Sequence, residues 1–231
     1  MMNDTTYILV HGAWGGAWCW RDVGLELTSR GVQWTALDLP SSTHGAHPNT
    51  YLADDAHDVI EVASLEGPVV LVGHSYGGAV ITEAADRVAN LERLVYVAAL
   101  VPTLGQSASE ANQEIANRTF LEEAIEVDGD FLRLNLDLAV KALYQDCTDE
   151  TAEWAVSQLT AQTIASFRSP RDSFDVDVHS HYILCTKDNA VDPRIQTLMS
   201  QRCSEVAMLE SGHTPLLSQP GVLCDLILSN N

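Results

Sequence analysis

The sequence predicts an α/β fold: a mostly parallel sheet of about six strands with helices on both faces. Two observations carry this. Short continuous apolar runs, the pattern of strands buried on both sides, alternate with amphipathic stretches of helical length. The chain has 231 residues and is 46% hydrophobic, enough for one domain with a substantial core.

The first run, Tyr7-Ile8-Leu9-Val10, closes in His11-Gly12. Trp20, Val23 and Leu27 then recur at helical spacing, and Gly31 suits the stop. Val32 to Leu37 reads as a second strand and Ser41 to Thr50 as a polar loop. Tyr51 to Ser64 predicts a helix with Leu52, Ala56, Val59, Ile60 and Ala63 on one face. Pro68 to Gly73 is the clearest buried strand, Tyr76 to Ala89 a helix opened by glycines, and Leu94 to Ala98 the next strand. From Pro102 to about Val178 no strand run stands out. Ile115 to Ile125, Leu138 to Tyr144 and Thr151 to Phe167 read as helices. The expected organisation is therefore a single domain, core 1–101 and 179–231, with a small helical cap insertion at 102–178. Alternation resumes at Tyr182 to Cys185. Asp192 caps a helix that has Pro193 at its first position. Val206 to Leu209 is the last strand. Pro220 to Leu228 is the last helix, burying Val222, Leu223, Leu226 and Ile227.

Twelve Lys and Arg stand against 32 Asp and Glu, a net charge of −20. Such a surface repels phosphate backbones and anionic lipid, which excludes general binding to nucleic acid or a membrane surface. Cys19, Cys147, Cys185, Cys203 and Cys224 are odd in number and form no CxxC pair, so reduced, mostly buried thiols are expected. Met1 to Thr6 has no basic region, and Tyr7 to Val10 is too short for a signal core or a membrane span. The expectation is a soluble cytoplasmic protein.

The chemistry concentrates in Val72-Gly73-His74-Ser75-Tyr76-Gly77-Gly78, a G-x-S-x-G placed between a strand and a helix. A tight strand-to-helix turn strains Ser75 and lifts its Oγ off the sheet edge, with glycines where side chains would clash. The following helix aims its positive dipole end at the site. A serine hydroxyl needs a base, itself oriented by a carboxylate, in the chain order Ser, acid, His. His213 follows the last strand and Asp188 follows the strand before it. Asp192 competes as the acid but is better explained as a helix cap. His11 and His74 are locked into motif backbones; His44, His47 and His57 lie in or near the polar loop; His179 and His181 precede a strand. No histidine pair has a metal spacing, so no metal is expected. The loop His11-Gly12-Ala13-Trp14-Gly15-Gly16 can offer the Ala13 N–H, with that of Tyr76, as an oxyanion hole worth several kcal/mol. It lacks the GxxxxGK[ST] and GxGxxG phosphate patterns. Trp14 is the candidate pocket wall and Trp20 a core residue. Phe120, Leu121, Phe131, Tyr144, Trp154 and Phe167 either line a pocket or hold the cap to the core.

These segments resemble α/β-hydrolases of the plant methylesterase and hydroxynitrile lyase group and their bacterial esterase relatives. The matching stretches are YILVHGAWGGAWCW (Tyr7 to Trp20), LVGHSYGGAVI (Leu71 to Ile81), LYQDCTDETAEWA (Leu143 to Ala155), CTKDNAVDP (Cys185 to Pro193) and SGHTPLLSQP (Ser211 to Pro220). The resemblance implies a six-stranded sheet with a small cap, no cofactor, Ser75, Asp188 and His213 as the triad, and Ala13 and Tyr76 as the hole. Hydroxynitrile lyases of the group carry a threonine and a lysine where this chain has Gly12 and Thr214. Without that lysine nothing evident stabilises a leaving cyanide. Haloalkane dehalogenases and epoxide hydrolases need an aspartate where Ser75 stands.

The expected activity is carboxylic ester hydrolysis on a small to medium apolar ester, through an acyl-enzyme. A hydroxynitrile lyase-like or perhydrolase reaction on the same triad, and a slow-turnover receptor, are the alternatives. The expected partner is a small-molecule ester, met by a monomer or a homodimer. A histidine base ordinarily titrates near 6.5, so kcat/KM on a short-chain aryl ester should fall in acid, and a profile without an acid limb would contradict a histidine base.

Overall fold

The computed structural model describes residues 5–115 and 119–229. Among them nine strands form: β1 (Thr6–Val10), β2 (Gln33–Leu37), β3 (Val69–His74), β4 (Leu91–Val97), β5 (Ile125–Asp128), β6 (Phe131–Leu134), β7 (Gln162–Thr163), β8 (His179–Cys185) and β9 (Glu205–Leu209). Six make one sheet in the order β2-β1-β3-β4-β8-β9, with every pairing parallel.

Period-two alternation decides which side chain faces which layer. Ile8, Val10, Val69 and Leu71 turn to one face, where helices Leu52–Ser64, Tyr76–Ala84 and Pro193–Ser200 bury Leu52, Val59, Val80, Ile81, Ile195 and Met199. Tyr7, Leu9, Val70, Val72, Val95, Val97 and Ile183 turn to the other. Helices Arg21–Ser29 and Pro220–Leu228 cover that face with Val23, Leu27, Leu223 and Ile227. Because β1 and β3 are buried on both faces, their sequences read as unbroken apolar runs. The chain leaves β1 for β2 on one side and returns to β3 on the other. Such a reversal opens a crevice at the carboxyl ends of the strands.

Several boundaries differ from the expected ones. The helix after β3 ends at Ala84 and passes into a single 3₁₀ turn, Ala85–Arg87. β4 starts at Leu91, and His179 and His181 lie within β8 rather than before it. In the last helix Val222 is exposed and Cys224 takes the buried place beside Leu223 and Ile227. The segment between β4 and β8 is not purely helical. It carries helices Ala108–Asn112, Phe120–Ala124, Leu136–Leu143, Asp149–Gln158 and Ile164–Arg168, but also the antiparallel sheet β5-β6-β7. Those strands gave no apolar run because β5, Ile-Glu-Val-Asp, is mostly exposed and β7 has two residues. The hairpin signal was Gly129-Asp130, where Gly129 supplies the positive φ of 61° at the first position of the two-residue loop. The polar start at residues 1–4 and part of the expected helix, residues 116–118, lie outside the described residues. No described helix is long and apolar enough to cross a membrane. All five cysteines are unpaired, with Cys19, Cys185 and Cys224 buried.

Candidate active site

Ser75 follows β3 and stands directly before the helix Tyr76–Ala84. Its φ of 53° and ψ of −121° cost a non-glycine residue about 1–3 kcal/mol unless its surroundings over-determine them. Here they do. The Ser75 N–H donates to the Val97 carbonyl at 3.1 Å, and the Ser75 carbonyl accepts from the N–H groups of Gly78 and Leu100, each at 3.0 Å. The turn is also too tight for side chains at its ends. A Cβ on Gly73 would lie 2.6 Å from the Gly77 carbonyl oxygen, and one on Gly77 would lie 2.5 Å from that of Val10.

Asp188 follows β8 and His213 follows β9, and the structure brings the two side chains together in a buried pair. His213 Nδ1 lies 2.7 Å from Asp188 Oδ2. A carboxylate only accepts, so the imidazole proton sits on Nδ1 and Nε2 is left free as a base. Asp188 Oδ1 accepts the N–H groups of Ala190 at 2.7 Å and Val191 at 3.0 Å. Its Oδ2 also accepts from Gln196 Nε2 at 2.8 Å. Gln196 is fully buried and grips both strand end and loop, since its Oε1 accepts the Cys185 N–H and its Nε2 donates to the Val191 carbonyl. Asp192 accepts the Arg194 N–H at 2.7 Å as a helix cap and pairs with the Arg194 guanidinium.

Ser75 and His213 line one cavity of about 30 Å³, together with Ala13, Trp14, Tyr144 and Thr214. No hydrogen bond joins Ser75 Oγ to the His213 ring among the described residues. Tyr76, the first residue of its helix, has an N–H with no carbonyl a turn earlier to receive it. Its ring lies beneath the site, and its hydroxyl donates to Asp55 Oδ2 at 2.7 Å. Trp14 is 3% exposed, has a left-handed φ of 62°, and donates its indole N–H to the Leu132 carbonyl at 2.9 Å. Of the aromatics between β4 and β8, Phe167 stacks on Tyr76 at 5.6 Å and Phe120 is exposed. A larger cavity of about 340 Å³ lies elsewhere, bordered by Tyr96, Arg171 and Arg202. Both of its guanidiniums are already engaged, Arg171 with Asp175 and Arg202 with Glu114, so we give it no catalytic part.

Several residues that position this site were given no part in it from the sequence. His74 donates from Nε2 to the His213 carbonyl at 2.8 Å, with the two rings 4.7 Å apart. Burial, reinforced by the neighbouring His213, holds His74 well below the ordinary histidine range. A neutral His74 adds no repulsion when the base becomes charged. His11 donates from Nδ1 to the Gly12 carbonyl and accepts the Leu39 N–H on Nε2, which ties the glycine loop to the end of β2. Burial lowers its pKa to about 4. Asp146 accepts the Gly212 N–H at 2.7 Å and the Ser211 hydroxyl at 3.0 Å, and Gln145 donates to the Lys187 carbonyl at 2.8 Å. The stretch Gln145-Asp146 thus holds the loops that carry both His213 and Asp188. It lies in the quoted LYQDC stretch, but its side chains bond backbone and serine hydroxyls, which leave no charge pairing to read in a sequence.

The model of the alpha/beta hydrolase family matches residues 7–226. Norfluorocurarine synthase 2 of a Strychnos species is 30% identical, over 96% of this chain and 93% of its own length. Methylesterase 7 of Arabidopsis thaliana is 29% identical, over 98% and 96%. Among solved structures, a pyrethroid hydrolase from Sphingobium faniae JZ-2 superposes with a TM-score of 0.85, covering 96% of this chain and 95% of that one. At 24% identity that likeness is one of fold.

The buried histidines make stability depend on pH. His11 and His74 stay neutral when folded, so between about pH 4 and 6.5 the unfolded chain binds protons that the folded one refuses. Stability should then fall as pH drops through that window. Burial raises Asp55 from 3.8 to about 6, which acts in the opposite sense over part of it. Replacing one contributor isolates the effect: the loss of Tm between pH 7 and 5 should be smaller in His11→Gln than in the parent. Equal slopes would contradict the assignment.

Proposed function

Because the chain belongs to the alpha/beta hydrolase family, we propose that it is a carboxylic ester hydrolase in which Ser75 is the nucleophile, His213 the base and Asp188 the acid that orients it. One observation carries this reading: a strained serine shares its cavity with an imidazole whose tautomer is set by a buried carboxylate. The relative named a methylesterase supports the same reaction class.

Ser75 Oγ attacks the ester carbonyl while His213 Nε2 takes its proton. Asp188 holds Nδ1 and stabilises the imidazolium. The developing oxyanion is received by the N–H groups of Ala13 and Tyr76, two donors worth several kcal/mol in the transition state. His213 then hands its proton to the leaving alkoxide, which departs as alcohol and leaves an acyl-enzyme. The same base next activates water, which attacks the acyl carbonyl and releases the acid. These steps need no metal or cofactor.

The cavity walls Trp14, Trp18, Leu143, Tyr144 and Leu159 favour a small to medium apolar ester. The 102–178 segment, which contributes Leu143, Tyr144 and Leu159 to these walls, is the proposed cap over the site. Thr214, where the lyases of the group carry a lysine, leaves a departing cyanide without a cation and favours hydrolysis. Five unpaired thiols suit a reducing, cytoplasmic compartment. Ser75→Ala should lose on the order of 10⁴-fold or more in kcat on an aryl ester while remaining folded by circular dichroism. Near-normal turnover in that variant would refute the nucleophile.

A further inference from the structure

Gln162 comes from the segment between β4 and β8, yet its side chain is fully buried against the core. Its Nε2 donates to Ser41 Oγ at 2.8 Å and to Ser166 Oγ at 2.6 Å. Its Oε1 accepts the Trp14 N–H, a long bond of 3.4 Å. Ser41 in turn donates to Asp55 from its N–H at 3.0 Å and from its hydroxyl at 2.6 Å, and Asp55 also receives the Tyr76 hydroxyl. One buried network therefore runs from the backbone of Trp14, through Gln162, Ser41 and Asp55, to the side chain of Tyr76. Its two ends are the neighbour of one expected oxyanion donor, Ala13, and the other donor itself.

Trp14 needs such holding. Its φ of 62° is a conformation a bulky side chain rarely adopts. The same segment also grips it elsewhere. The Thr160 N–H donates to the Trp14 carbonyl at 2.9 Å, and the Leu132 carbonyl takes the indole N–H. The Trp14 N–H belongs to the peptide that joins Trp14 to Ala13, so freeing it loosens that unit and, through the Ala13 Cα, the preceding Gly12–Ala13 unit that carries the Ala13 N–H. A buried amide that lost these partners would leave several polar groups unsatisfied, so the network forms as a unit or not at all.

Resting on the hydrolase reading above, we propose that Gln162 is a positioning residue for the oxyanion hole: from the segment between β4 and β8 it orients Ala13 and, through Ser41 and Asp55, steadies Tyr76. Gln162 touches no reacting atom; it acts through the donors.

The test is steady-state hydrolysis of an aryl ester by the full chain, with active sites titrated so that kcat refers to folded enzyme. In Gln162→Leu, kcat should fall by at least about tenfold with KM within about threefold, because misaimed donors weaken the transition state more than the bound substrate. Gln162→Asn keeps an amide inside but is one methylene too short to span Trp14 and Ser41. It should show the same split even if Gln162→Leu fails to fold. A merely structural role would lower the number of titrated sites and Tm while leaving kcat per site at the parent value. That result, or a loss confined to KM, overturns the proposal. If the parent chain hydrolyses no ester at all, it is the hydrolase reading that fails, and the two failures are told apart by that control.

Discussion

A serine held in a backbone conformation it would not choose is the constraint on which the rest depends. Ser75 stays at φ 53° because three backbone hydrogen bonds fix it, reaching Val97 at the end of β4, Gly78 in the following helix and Leu100 beyond. Those partners exist only when the parallel sheet is assembled in register, with β3 between β1 and β4. The energy for that assembly comes from apolar burial on both faces of the strands, not from the site. The fold thus supplies a local strain that the site uses.

Around the serine the labour divides between two parts of the chain. Strand ends present the proposed reacting groups: β3 leads to Ser75, β8 to Asp188, β9 to His213 and β1 to the glycine loop. The segment between β4 and β8 supplies few of the groups given a chemical part, yet it fixes where they stand. Asp146 and Gln145 clamp the loops of His213 and Asp188, while Gln162 and Thr160 clamp Trp14. Polar side chains bonding to backbone suit this purpose, since they are directional and buried and so enforce one geometry.

How much could be read beforehand depended on whether the signal was local. The β1 and β3 runs and the G-x-S-x-G turn were legible because burial on both faces and a tight turn leave direct marks in composition. Asp188 and Asp192 were separable because a proline after Asp192 pointed to a cap, and Asp192 does bond the Arg194 N–H. β5, β6 and β7 were not legible, being short, half-exposed and without an apolar run. His74, Gln196, Asp146 and Gln162 were missed for a different reason. Each acts on a partner between 8 and 148 residues away, mostly through main chain, and neither periodicity nor motif spacing records that.

If one hydroxyl in this chain is made nucleophilic by one imidazole, reaction with a fluorophosphonate probe and mass mapping of the modified peptide should find a single adduct on Ser75 that forms in the folded chain and is absent after denaturation. An adduct on another residue, or no adduct in a folded chain that still turns over ester, would contradict it.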